Sequence, residues 1–152
     1  MITYEKVLKK PQVLNELIGM SLADFEKLYA RFERAHVARL NALQYTRRNK
    51  KVRRRVVGAG PKHKYALPDR LLMTLFWLRA YTTYKVLGTL YNLNKTTVEE
   101  YLKSVIHTLS LMSCYDFKRP RAEIPKLRSV QEVLNAFPAL LLLINSEEYF
   151  VK

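Results

Sequence analysis

The stretch Thr83–Lys103, TYKVLGTLYNLNKTTVEEYLK, constrains the fold more than any other part of the chain. It sets apolar residues, one small residue and one residue tolerant of a positive φ where two helices must cross at a tight turn. Leu87 is the buried apolar position of the first helix, and Gly88 is the small residue that lets the second helix cross closely. Tyr91 closes the first helix. Asn92 stands where a left-handed φ is needed, a conformation Asn tolerates better than most residues. Leu93 is the apolar turn residue, Val98 and Tyr101 face inward from the second helix, and Asn94 or Thr96 caps it. The pattern fits a helix-turn-helix. Two antiparallel core helices joined by a short turn would also satisfy it.

The charge of the chain is uneven. Lys and Arg number 27 against 13 acids, a net +14, and residues 45–70 alone carry ten basic residues and one acidic residue. A block of one sign attracts a polyanion, with DNA, RNA and anionic lipid as candidates. The run from Arg47, RRNKKVRRRVVGAGPKHK, has no periodic apolar face and is punctuated by Gly58, Gly60 and Pro61, so it is expected to be an exposed arm. Lacking that face, it is a poor membrane-surface element. The first ten residues are charged and offer no signal-peptide core, and no apolar run is long enough to span a bilayer. A cytoplasmic, nucleoid-associated protein is the expectation.

Apolar spacing supplies the remaining elements. Pro11 suits the first turn of a short helix that Gly19 stops. Ser21 with Asp24 caps a long amphipathic helix from about Leu22 to about Leu43. Pro68 and Asp69 open a helix apolar on more than half of its circumference, expected at the centre of the fold. Ser129 with Glu132 opens a short helix to about Ala136. Leu140–Ile144 fits either a buried strand or a helix end. Only 4 Gly and 6 Pro in 152 residues argue against a turn-rich β fold.

Candidate catalytic or metal sites do not emerge. The single Cys114 excludes a disulfide scaffold and a four-ligand Cys/His zinc site, and Asp116 beside it supplies no base for a catalytic thiol. His36, His63 and His107 lie in three separate segments. GAGPK lacks the ending of a phosphate-binding loop. No metal and no cofactor are expected.

The candidate binding residues fall into two groups. On the second helix of the motif, Asn94, Lys95, Thr96, Thr97, Glu100 and Lys103 lie on or near the face that would enter a major groove. Glu99 and Glu100 are awkward beside phosphates, and at least one is expected to pair with a lysine four residues away, as Glu99 can with Lys103. In the basic arm, Arg47, Arg48, Lys50, Lys51, Arg53, Arg54, Arg55, Lys62 and Lys64 are suited to phosphates.

Three blocks resemble the N-terminal portion of bacterial insertion-sequence transposases of the DDE type. They are LIGMSLADFEKL at Leu17–Leu28, VVGAGPKHKYALPDRLLMTLFWLRAYTTYKVLGTLYNLNKTTVEEYL at Val56–Leu102, and FPALLLLINSEEYF at Phe137–Phe150. The resemblance implies a DNA-binding helix-turn-helix in the middle block. It also implies, in the third, the first strand of an RNase H-like domain ending on a metal-binding Asp. That position holds Asn145 here, and a neutral amide cannot supply the anionic oxygen of a two-metal site. With Lys152 as the last residue, the other two carboxylates are expected to be absent as well.

The expected fold is therefore mainly α: a helix-turn-helix three-helix core with additional N-terminal helices and an exposed basic arm. The expected divisions are an N-terminal helical region at 1–44, the arm at 45–67, the helix-turn-helix domain at 68–112 and an irregular tail at 113–152. The expected function is non-catalytic binding of double-stranded DNA, as a repressor or a transposon-end factor, with a homodimer as a further candidate. The alternatives are the N-terminal part of a split transposase completed in trans and an RNA-binding accessory factor that uses the arm.

Overall fold

The computed structural model describes residues 2–45, 62–112 and 126–144. The arm residues Arg47, Arg48, Lys50, Lys51, Arg53, Arg54 and Arg55 lie outside the described residues, as does Asn145. Among the described residues the protein is all helical apart from one isolated β-bridge. The helices are α1 (Tyr4–Leu8), α2 (Pro11–Ile18), α3 (Leu22–Tyr45), α4 (Leu67–Ala80), α5 (Tyr84–Tyr91), α6 (Lys95–Leu111), α7 (Val130–Ala136) and α8 (Leu140–Ile144).

Local chemistry sets most of the boundaries. Pro11 opens α2, and Gly19 ends it at φ +73°, donating its N–H to the Asn15 carbonyl. Ser21 Oγ accepts from the Asp24 N–H at 3.2 Å and donates to the Asp24 carboxylate at 2.7 Å, starting α3. Asp69 starts α4 by accepting from the Ala66 N–H at 3.2 Å, while its other oxygen takes the Tyr4 N–H at 2.6 Å and ties α1 to that helix start. Ser129 caps α7, accepting from the Glu132 N–H at 3.1 Å.

Helix α4 is the centre, with Leu71, Leu72, Met73, Thr74 and Phe76 fully buried. It packs on α1, α2, α3 and α6. Phe25 and Phe32 of α3, Leu14 and Leu17 of α2, and Leu102, Val105 and Leu109 of α6 complete the same apolar cluster. The N-terminal helices and the helix-turn-helix thus share one core. At about 25 cal/mol per Å2 of apolar surface removed from water, each such side chain contributes roughly 1.5–3 kcal/mol.

Of the tail, residues 126–144 are described, and they include the short helix expected after Ser129. Residues 130–144 form α7 and α8, whose Val133, Leu140 and Leu143 join the common core. The RNase H-like first strand implied by the resemblance is not formed at Leu140–Ile144, which is a helix. The buried residues there are three apart, a helical rather than an alternating spacing, and no described strand is available to pair with the run. It is anchored on α2 and the N-cap of that helix: Glu16 accepts from the Ala139 N–H at 3.0 Å, and the Lys10 ammonium donates to the Leu142 carbonyl at 2.9 Å. Ahead of α7, Leu127 pairs in parallel with Thr82, its N–H on the Tyr81 carbonyl and its carbonyl accepting from the Thr83 N–H.

Candidate nucleic-acid interface

Helices α5 and α6 cross at the turn Asn92–Asn94. Thr83 caps α5 by accepting from the Val86 N–H at 3.2 Å. Asn92 ends it at φ +50°, ψ +53°, the left-handed conformation anticipated for this position. The Leu93 N–H then returns to the Gly88 carbonyl at 2.8 Å. A Cβ at Gly88 would lie 2.5 Å from the Leu93 carbonyl oxygen, so only glycine fits this close approach. Val98 and Tyr101 are buried beneath the turn, as their spacing requires. Asn94 is the N-cap of α6, without a side-chain cap hydrogen bond.

The end of the arm is stitched to this turn. Tyr65 is buried, and its hydroxyl donates to the Tyr91 carbonyl at 2.6 Å. The Lys64 ammonium donates to the Asn92 carbonyl at 2.8 Å, and the Lys64 N–H donates to the Tyr101 hydroxyl at 3.1 Å. The His63 ring meets Tyr101 edge-on at 5.3 Å. The Tyr101 ring also carries the guanidinium of buried Arg70 at 5.5 Å. Residues 63–65, within the stretch expected as arm, thus contact the helix-turn-helix directly. Lys64, expected to serve phosphates, spends one of its three ammonium donors on a carbonyl at the end of α5.

An open cleft of about 880 Å3 lies in front of the turn. It is lined by Lys62, His63 and Lys64, by Lys85, Thr89 and Asn92 of α5 and its end, and by Asn94, Lys95, Thr97 and Glu100 at the start of α6. Four lysines face one carboxylate. The structure thus brings Asn94, Lys95, Thr97, Glu100, Lys62 and Lys64 together. Thr96 is exposed on α6 outside the cleft lining. Lys103 also stands outside it, bound to Glu99 at 2.7 Å. That pairing holds the Glu99 carboxyl below its ordinary range and raises the Lys103 ammonium.

Sequence reasoning missed Lys85 and Thr89. Both sit on the exposed side of the first motif helix, and their spacing of four puts them on one face. In helix-turn-helix proteins bound to DNA, the first helix crosses the backbone. It also missed Tyr101 as a hydrogen-bonding residue, because its inward spacing identifies an apolar ring and says nothing about its hydroxyl. His63 has its pKa lowered by burial and then by Arg70, with Glu100 acting in the opposite direction. Among the described residues there is no cluster of three or more His, Cys, Asp or Glu able to hold a metal ion, and no helix long and apolar enough to cross a membrane.

No curated protein and no solved structure matches the chain. Residues 64–114, from the Lys64 stitch to just past the end of α6, match the family described as helix-turn-helix of DDE superfamily endonuclease.

Proposed function

We propose that the protein binds double-stranded DNA without catalysing its cleavage, acting as a repressor or as a factor at transposon ends. The observation that carries this reading is the four-lysine cleft formed around a tight helix-turn-helix, most of it within the segment that matches a transposase-type helix-turn-helix. Helix α6 enters a major groove by its first two turns, with Lys95, Thr96 and Thr97 at base edges. Lys62 and Lys85 flank it on the phosphates, and the arm residues Arg53, Arg54 and Arg55 extend the backbone contacts. The family match lies on the helix-turn-helix, which supports the binding role.

Two variants separate the groups. Each phosphate contact contributes about 0.9 to the slope of log affinity against log salt. Replacing Arg53, Arg54 and Arg55 by alanine should flatten that slope by about two to three units and weaken all duplexes alike. Thr96→Leu should lower affinity for the preferred site by about 1–3 kcal/mol and leave non-specific binding nearly intact. An unchanged slope in the first, together with unchanged selectivity in the second, would refute the reading.

A further inference from the structure

We infer that Glu100 selects a base for this helix-turn-helix, accepting a hydrogen bond from the exocyclic amine of a cytosine in the major groove. The inference deepens the DNA-binding reading and rests on it.

The two adjacent carboxylates of α6 have different fates. Glu99 is engaged by Lys103 at 2.7 Å and stands outside the cleft. Glu100 is exposed, has no ion pair with any described residue, and is the one acidic residue lining the cleft. Around it stand Lys62, Lys64 and Lys95, cations suited to the phosphates that would repel it. His63 is the titratable neighbour on the facing segment, close enough to feel the charge of Glu100.

A carboxylate in such a place is an acceptor and nothing else. Phosphate oxygens offer it no donor. In the major groove, donors are presented by cytosine N4 and by adenine N6. Adenine sets its N6 donor beside the N7 acceptor, a lone pair that a carboxylate would oppose. Cytosine presents N4 without that neighbour on its own base. Glu100 lies in the second turn of α6, within the part of a recognition helix that reaches base edges. The residue type, the missing partner and the position all favour cytosine.

The test is selection of bound duplexes from a randomised pool by the full-length chain, compared with Glu100→Gln, Glu100→Ala and Glu99→Gln, each first shown by circular dichroism to keep the native helix content. The native chain should select a site with a C·G pair whose replacement weakens binding on the order of tenfold. Glu100→Gln should move the preference at that pair to adenine, because a glutamine amide matches N6 and N7 together. Glu100→Ala should flatten that pair alone, and Glu99→Gln should change no preference. Glu100→Ala binding every duplex more tightly with its base preferences intact would overturn the inference, making Glu100 a general brake on polyanions. A native chain that selects no duplex sequence would overturn the DNA reading itself, and the inference with it.

Discussion

Substituting Gly88 by alanine tests the geometry on which the interface depends, because two opposed effects meet at one atom. In the interior of a helix, alanine is favoured over glycine by about 1 kcal/mol. A Cβ at this position, however, would stand 2.5 Å from the Leu93 carbonyl oxygen, with Val98 Cγ2 at 3.7 Å behind it. The oxygen belongs to the backbone of the turn and cannot rotate away. Prising the turn open costs about 1–3 kcal/mol, the usual range for overpacking. The same movement stretches the 2.8 Å bond from the Leu93 N–H to the Gly88 carbonyl, which adds about 1 kcal/mol. The balance is a loss of about 2 kcal/mol, or a fall in Tm of roughly 4–8 °C for a chain of this size. Thermal unfolding followed by circular dichroism at 222 nm reads it directly. Binding to duplex DNA should weaken as well, since α6 is displaced from α5 and from the Lys64 stitch. A Gly88→Ala chain that melts at the native temperature or above would refute the reasoning, since helix propensity would then outweigh the crossing.

Two other substitutions probe the surroundings of the turn. Tyr101→Phe removes the hydroxyl that accepts from the Lys64 N–H; Tm should fall by roughly 2–4 °C for the ~1 kcal/mol lost, with affinity for all duplexes reduced alike, and an unaltered melt would count against the stitch. His36 is buried beside Phe32, and its pKa is lowered to about 4, first by burial and then by Arg39, Arg70 and His63. In the unfolded chain it protonates near 6.5, so between pH 6.5 and 4 the unfolded state takes up a proton that the folded state does not. Stability should therefore be full above pH 6.5 and decline as the pH falls through that window. His36→Gln should flatten the curve of Tm against pH between 6.5 and 5, and a slope equal to that of the native chain would refute the assignment.

The turn was legible from the sequence because its requirements are local. A left-handed residue, a glycine at a crossing and a hydroxyl or carboxylate cap each leave a signature within four positions, as Asn92, Gly88 and Ser21 do. The spacing of Glu99 and Lys103 likewise foretold their pairing. Leu140–Ile144 was not decided, because five apolar residues have no polar marker to show a period; α2 and the common core settle it as a helix. Lys64 read as one more charge in a basic run. Its engagement with Asn92 joins residues 28 positions apart, and nothing in either neighbourhood signals the other. Nothing in the sequence singles out Arg70, and only the packing of α6 shows it covered and set over an aromatic ring. Within the site, residue types were readable, whereas the division of labour among the lysines was not.

The shared core also bears on how this reading head could be passed between proteins. Residues 64–114 hold the turn and all of the cleft but Lys62 and His63, yet α4 and α6 also pack against Leu14, Leu17, Phe25 and Phe32, contributed from before residue 46. Excised at the limits of the family match, the segment would present that apolar surface to water and associate non-specifically. A recombination that transplants the DNA-contacting part must therefore carry α2 and α3 with it or supply equivalents. Viable fusion joints are to be sought upstream of α1, and the edge of the recognisable motif is a poor place to cut.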